Sequence, residues 1–209
     1  HGFEDRRYQG ELLITLDRAG KLALVNSIAF PQLLKGLVPS EIYANAHPQA
    51  LRAQAVAARS EILAKIGHRH PGNPYLLCAE QHCQFYSGLA KEYAETTRAV
   101  EQTEGEVLVA GGRIVGAVYS SHCGGHTEDN DTVWEQVPEA SLRGKPDVPD
   151  DSLIAKEWKE IPTDARLASW LAFKPESWCA KSSYGKAENL RWKTVLSATE
   201  VDRLVNAKY

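Results

Sequence analysis

Over the first 25 residues, apolar positions alternate with polar or smaller ones. Leu12, Ile14 and Leu16 in ELLITLD lead into the turn residues RAG and then KLALV. A period of two predicts an antiparallel hairpin over residues 11–25. The period then lengthens. PQLLKGLV carries Leu33, Leu34 and Leu37 behind Pro31, which a first helical turn accepts because its missing N–H would have no partner there anyway. Pro39 is expected to end this short helix. PQALRAQAVAARSEILAKI sets Leu51, Ala55, Ala58, Ile62 and Ile66 along one face, predicting a long central helix whose alanines let a neighbour pack closely. Arg52 and Arg59 lie seven positions apart on it, nearly two turns, and are predicted to project from the same side.

A loop rich in His, Pro and Gly (GHRHPGNP) and the segment YLLCAEQHCQFYSG come next. KEYAETTRAVEQTEG reads as a helix closed by Gly105, and EVLVA, Gly111-Gly112 and RIVGAVYSS as a second hairpin. From Gly124 to Pro162 the period is lost, predicting a long ordered loop around Trp134; such a length either serves a function or conceals short elements. TDARLASWLAF reads as a helix, NLRWKTVLS as a strand, and Ser197 with Glu200 as a capping box opening ATEVDRLVNA. The expected class is α+β: mixed hairpins and helices in a single large domain, residues 1–209, with a long functional loop.

Composition narrows the function. With 209 residues, 43% hydrophobic and 24% charged, the chain has a globular composition and is large enough to bury a core without cross-links. A formal charge of -3 provides no basic field for a polyphosphate backbone, so nucleic acid is not an expected partner. No run approaches the roughly 18 apolar residues of a membrane span. The chain begins at His1, and a removed signal segment is compatible with that start. Four cysteines fit two disulfides in an oxidising compartment, metal ligation or free thiols.

Five of the seven histidines and three of the four cysteines fall between His68 and His126. Three chemistries compete. Glu41, following the Pro39 break, is a carboxylate suited to protonating a leaving oxygen, with burial raising and nearby Arg lowering its pKa. His70, Cys78, His82 and Cys83, with His68 as a substitute for His70, offer the imidazole and thiolate donors of tetrahedral zinc; the alternative is a local disulfide between Cys78 and Cys83. Cys123 in SSHCGGHTE is a thiol nucleophile with His126 or His122 as base, or else the partner of Cys179. Trp134, Trp158, Trp170, Trp178 and Trp192 are expected in the core rather than as sugar platforms. The run Glu128-Asp129-Asn130-Asp131 is expected to be a solvated loop, lacking calcium-loop spacing.

GLVPSE, PQALRAQAVAARS, HCQFYSG, AVEQTEGEVL and VYSSHCGGHTE occur in one order, and together they resemble the SpoIID/LytB-domain family of bacterial cell-wall proteins. The resemblance covers about residues 8–135, leaving 136–209 as a C-terminal elaboration. It implies that Glu41 is a catalytic glutamate, that Arg52 stands where a lysine is usual, and that Arg59 lines the site. Gln54, Gln84, Tyr86, Tyr119, Ser121, Gly124, Gly125, Thr127 and Glu128 match other motif positions expected to shape a groove in which these segments converge. Cys123 departs from the pattern, replacing the usual serine. Relatives that hold zinc through a Cys and a His-Cys pair strengthen the reading of a structural zinc at His70, Cys78, His82 and Cys83.

The function implied is a peptidoglycan lytic transglycosylase acting on peptide-free glycan strands. There the muramic acid C6 hydroxyl attacks C1 itself, so one carboxylate serves where a hydrolase normally uses two. The alternative is a module that binds glycan or activates a cell-wall amidase without cutting. Either implies an exported, periplasmic or cell-wall location.

Overall fold

The computed structural model describes residues 6–134, 137–159, 163–183 and 187–208. Where a single large domain is expected, the chain divides into two compact units, His1–Tyr119 and Ser120–Tyr209.

The N-terminal unit opens with the expected hairpin, β1 (Glu11–Leu16) paired antiparallel with β2 (Leu22–Ser27) in the register Glu11↔Ser27 to Leu16↔Leu22. The turn is held by Asp17, whose Oδ1 accepts the N–H groups of Ala19 and Lys21, both at 2.8 Å. Such an Asx geometry lets a short polar side chain mimic a backbone turn. The face carrying Leu12, Ile14, Leu16, Leu22 and Leu24 stays exposed, with Ile14 and Leu22 77% and 79% accessible, while Thr15, Ala23 and Val25 on the other face are half-buried.

The core comes from helices. α1 (Phe30–Glu41), α2 (Pro48–Lys65) and α3 (Ala94–Gln102) bury Leu34, Leu37, Val38, Ala55, Ala58, Ile62 and Val100 with Tyr86. The long helix is as predicted. α1 departs from expectation, since it runs through Pro39 to Glu41. Proline removes one N–H and crowds the preceding turn, but the cost falls half a turn from the helix end. The Pro39 ring is buried, and Ser40 Oγ donates to the Gly36 carbonyl at 3.3 Å. Gly36 is required for packing: a Cβ there would lie 2.9 Å from the Gly88 carbonyl oxygen and 3.1 Å from the Tyr86 ring. The second hairpin, β3 (Val109–Ala110) and β4 (Arg113–Ile114), turns on Gly111 and Gly112, both at positive φ, as a two-residue mirror-image turn demands.

The C-terminal unit is built from short helices. Two of them, α4 (Asn130–Trp134) and α5 (Leu153–Glu157), interrupt the segment expected to be a long loop; residues 135, 136 and 160–162 lie outside the described residues. α6 (Asp164–Ala172), α7 (Trp178–Lys181) and α8 (Ala198–Lys208) follow. The capping box of α8 forms as predicted: Ser197 N–H donates to Glu200 Oε2 at 2.9 Å, and Glu200 N–H to Ser197 Oγ at 3.3 Å. The strand expected in NLRWKTVLS is not found. Asn189 ends a 3-10 turn, and residues 192–197 are exposed without a ladder among the described residues.

The unit's small core holds Val148, Trp158, Trp170 and Leu190. Phe173 stacks on Trp158 at 5.8 Å, and Arg166 lies 4.2 Å over the Trp158 ring. The expected core placement holds for Trp158 and Trp170, but Trp134, Trp178 and Trp192 are exposed. No helix among the described residues is long and apolar enough to cross a membrane.

Candidate active site and metal cluster

Glu41 ends α1 with its side chain exposed. Its carboxylate is not left to solvent. Gln84 Nε2 donates to Glu41 Oε1 at 2.7 Å, and Tyr119 Oη donates to Gln84 Oε1 at 3.0 Å. The amide has no choice of direction, because a carboxylate only accepts and the phenol supplies the donor. Burial, and next the negative charge of Glu41, push the Tyr119 hydroxyl well above the usual tyrosine range, so it stays protonated and remains a donor at neutral pH. Three of the expected groove residues therefore form one hydrogen-bonded line.

Two residues that no motif singled out fasten this line to α2. Glu61, buried, accepts the Ala117 N–H at 2.8 Å through Oε2 and pairs through Oε1 with Lys65 at 2.8 Å. Lys65 in turn donates to the Cys83 carbonyl. One ion pair thus grips the segment leading to Tyr119 and the residue preceding Gln84. The available signal was the i, i+4 spacing of opposite charges on a helix, which by itself reads as a surface pair.

The arginine expectation needs correction. Arg52 is half-buried, but Arg59 is 5% exposed. Its guanidinium donates to the carbonyls of Glu106 at 2.9 Å and Val100 at 3.2 Å, and to Thr103 Oγ1 at 3.3 Å. It caps the C-terminal end of α3, where free carbonyls favour a cation. Burial lowers its pKa, against the raising influence of Glu106 and Glu104. Its guanidinium is thus engaged with the end of α3 and the residues after it. Tyr86 is likewise a core residue: 7% exposed, it meets Tyr8 at 6.0 Å, and burial raises its pKa. Gln54 is half-buried, with Nε2 buried and unpartnered among the described residues.

His70, Cys78, His82 and Cys83 come together as predicted, each offering one donor atom, all within 4.8 Å of one another. His70 Nε2 lies 3.2 Å from Cys83 Sγ, and His82 Nδ1 lies 3.4 Å from Cys83 Sγ and 3.7 Å from Cys78 Sγ. Tetrahedral zinc with bonds of about 2.3 Å to sulfur and about 2.0 Å to nitrogen sets neighbouring S and N donors roughly 3.5 Å apart. The four side chains fit that group, and both sulfurs are free thiols.

Ser121, Gly124, Gly125, Thr127 and Glu128 fall in the C-terminal unit. Ser121, Thr127 and Glu128 are exposed, and Thr127 Oγ1 accepts the Lys145 N–H at 2.9 Å. Cys123 does not look like a nucleophile. Burial pushes its thiol up to about 12, and its Sγ lies 3.4 Å from Cys179 Sγ. Neither proposed base is poised for it. His126 points its two ring nitrogens at the carbonyls of Thr127 (2.6 Å) and Trp158 (3.0 Å), while His122 Nδ1 accepts the Gly124 N–H at 3.1 Å.

The acidic run is also more than a solvated loop. Asp129 Oδ1 accepts the Gly144 N–H at 2.6 Å, Arg143 bridges Asp129 and Asp131, and Asn130 is 3% exposed. The Gly144 N–H, then Arg143, hold the Asp129 carboxyl below its ordinary range.

Comparison with known proteins finds similarity over the segment that holds the first of these sites. Residues 18–109, the stretch holding Glu41, Gln84 and the His/Cys cluster, match the model of the SpoIID family, described as stage II sporulation protein. The chain is 40% identical over 101 residues to the amidase enhancer of Bacillus subtilis (strain 168), covering 48% of this chain and 13% of that protein. It is 32% identical over 124 residues to the stage II sporulation protein D of Bacillus amyloliquefaciens, covering 53% and 36%. An uncharacterized protein of Brachyspira hyodysenteriae is 29% identical over 127 residues, covering 61% and 34%. The chain thus spans between 13% and 36% of the length of these curated relatives.

Proposed function

We propose that this chain acts on the bacterial cell wall as a peptidoglycan lytic transglycosylase, cleaving the β-1,4 bond between MurNAc and GlcNAc in peptide-free strands. The observation that carries the reading is the line from Tyr119 through Gln84 to Glu41. It fixes one exposed carboxylate in a set orientation, as a general acid and base needs.

In this mechanism protonated Glu41 gives its proton to the glycosidic oxygen as the bond to C1 breaks. The C6 hydroxyl of the same muramic acid then attacks C1 and passes its proton to the Glu41 carboxylate, leaving a 1,6-anhydro end and a regenerated acid. Gln84 holds the carboxylate through Oε1 in both half-reactions, and Tyr119 holds the amide. Arg52 meets the lactyl carboxylate that is exposed once the stem peptide is gone. His70, Cys78, His82 and Cys83 would hold a structural zinc, whose role is to cross-link the loop preceding Gln84. The setting is outside the cytoplasm, in the periplasm or cell wall.

Digestion of amidase-treated glycan strands followed by mass analysis tests the reaction. The expected products carry 1,6-anhydro ends; reducing ends alone would show hydrolysis instead and remove the assignment.

A second reading is favoured by the 40% identity to a protein named amidase enhancer: the chain binds peptide-free glycan and stimulates an amidase without cutting. Stimulation of a purified amidase by Glu41→Gln at the wild-type level, with no anhydro product from wild type, would establish that reading.

A further inference from the structure

We propose that Cys123 and Cys179 form a disulfide site in the C-terminal unit, whose oxidation ties the turn of the HCGGHTE motif to α7. The two sulfurs already touch at 3.4 Å across a separation of 56 positions. Bond formation needs them to close by about 1.4 Å, within reach of small side-chain rotations.

The backbone on both sides is already in place. The Asp147 N–H donates to the Gly125 carbonyl at 3.0 Å, the Trp178 N–H to the Asp147 carbonyl at 2.9 Å, and the Cys179 N–H to Asp147 Oδ2 at 2.8 Å. From the other flank, Arg191 donates to the Gly124 carbonyl at 2.6 Å. Gly124 and Gly125 have φ of 67° and 94°, and a Cβ on Gly125 would lie 2.6 Å from Pro175 Cγ. The turn has one seat, and the bond would lock it there.

Asp147 lies close enough to the two sulfurs for the three residues to be considered as metal ligands. Two observations favour the disulfide. The carboxylate is engaged by the Cys179 N–H. The sulfur contact is also shorter than the roughly 3.8 Å between two thiolates on tetrahedral zinc.

The co-reactant is a disulfide, either of a small thiol or of a thiol oxidoreductase. The Cys179 thiolate attacks it, forming a mixed disulfide and expelling one thiolate. Cys123 then loses its proton and attacks the Cys179 sulfur, expelling the second. In sum, two protein thiols and one disulfide yield one protein disulfide and two small thiols, so the protein gives up two electrons and two protons. The order follows from the Cys123 thiol, which burial keeps protonated at neutral pH and which is therefore the poorer first attacker.

The proposal is independent of any glycan chemistry. The full chain is equilibrated in oxidised and reduced glutathione, quenched with N-ethylmaleimide, digested without reduction and mapped by mass spectrometry. The expected result is a cross-link between the Cys123 and Cys179 peptides. Reduction should lower the melting temperature of the oxidised protein by more than about 5 °C. Cys123→Ser should accumulate glutathione on Cys179, whereas Cys179→Ser should leave Cys123 largely unmodified. Persistent alkylation of both thiols in the wild type under fully oxidising glutathione would overturn the proposal. So would zinc content one equivalent lower in the double Cys123→Ser/Cys179→Ser variant than in wild type, which would make the cluster a metal site.

Discussion

The two units are ordered by different means. The N-terminal unit buries the apolar faces of α1, α2 and α3 against one another and adds buried polar ties from Arg59 and Glu61 on α2 to that packing. The C-terminal unit buries few of its apolar residues and is strapped together by polar side chains reaching distant backbone. Arg191 donates to the carbonyls of Gly124, Leu190 and Trp170. Asn130 joins Val137 to Glu139, and Asp147 takes the Cys179 N–H. Packed helices tolerate exposed substitutions and fail when volume is lost. A strapped unit fails when one donor or acceptor is lost, since its partner is left buried and unpaired. The first arrangement offers a rigid platform for an exposed carboxylate, and the second suits a covalent tie.

The strongest challenge to the platform idea is Glu41→Gln. Cleavage should fall by about 10² to 10⁴-fold, with the melting temperature unchanged because the side chain is exposed. A comparable loss of stability would mean that Glu41 supports the fold instead. Next in size, Arg59→Ala should cost about 2 to 4 kcal/mol in urea unfolding, as three acceptors on and after α3 lose their donor; a neutral result would return Arg59 to the list of glycan contacts. In the strapped unit, Ser197→Ala should cost about 1 kcal/mol through loss of the α8 cap, read as reduced helicity by circular dichroism.

The last effect is confined to alkaline pH in the reduced protein. Cys123 titrates at about 12 when folded and near 9.0 when unfolded. Above pH 9 the unfolded state therefore binds fewer protons than the folded one, and stability declines as pH rises toward 12. Denaturant midpoints collected across that window should fall in wild type and hold more nearly level in Cys123→Ser.

The same contrast explains what the residues disclose in advance. Helical and strand periods announce α2, the first hairpin and the α8 capping box, because each is decided by neighbours in sequence. Pro39 misleads: a local rule ends the helix there, while burial of the ring carries it on to Glu41. Residues 189–197 mislead in the opposite sense, since a strand needs a partner that no pattern in the segment supplies. The His/Cys cluster is legible because donor chemistry is written in residue type. Glu41, Gln84 and Tyr119 are legible as motif members, but their linkage is not. The separate roles of Arg52 and Arg59 are hidden too, because equal spacing on a helix says nothing about which residue meets the end of α3. In the C-terminal unit α4, α5 and α7 lack periodicity altogether, as expected where hydrogen bonds between positions far apart in sequence set the chain path.

The amide of Gln84 has one more consequence. A carboxylate has two chemically identical oxygens, and a free one would be protonated on either at random. By donating to Oε1, Gln84 breaks that equivalence: an oxygen accepting an N–H bond is disfavoured as the seat of the proton. In the proposed reaction this asymmetry would set the direction of proton delivery before any substrate arrives. While the carboxylate is ionised it can only accept, so the amide N–H side must face it, and the Tyr119 hydroxyl donates to the amide oxygen from the far side.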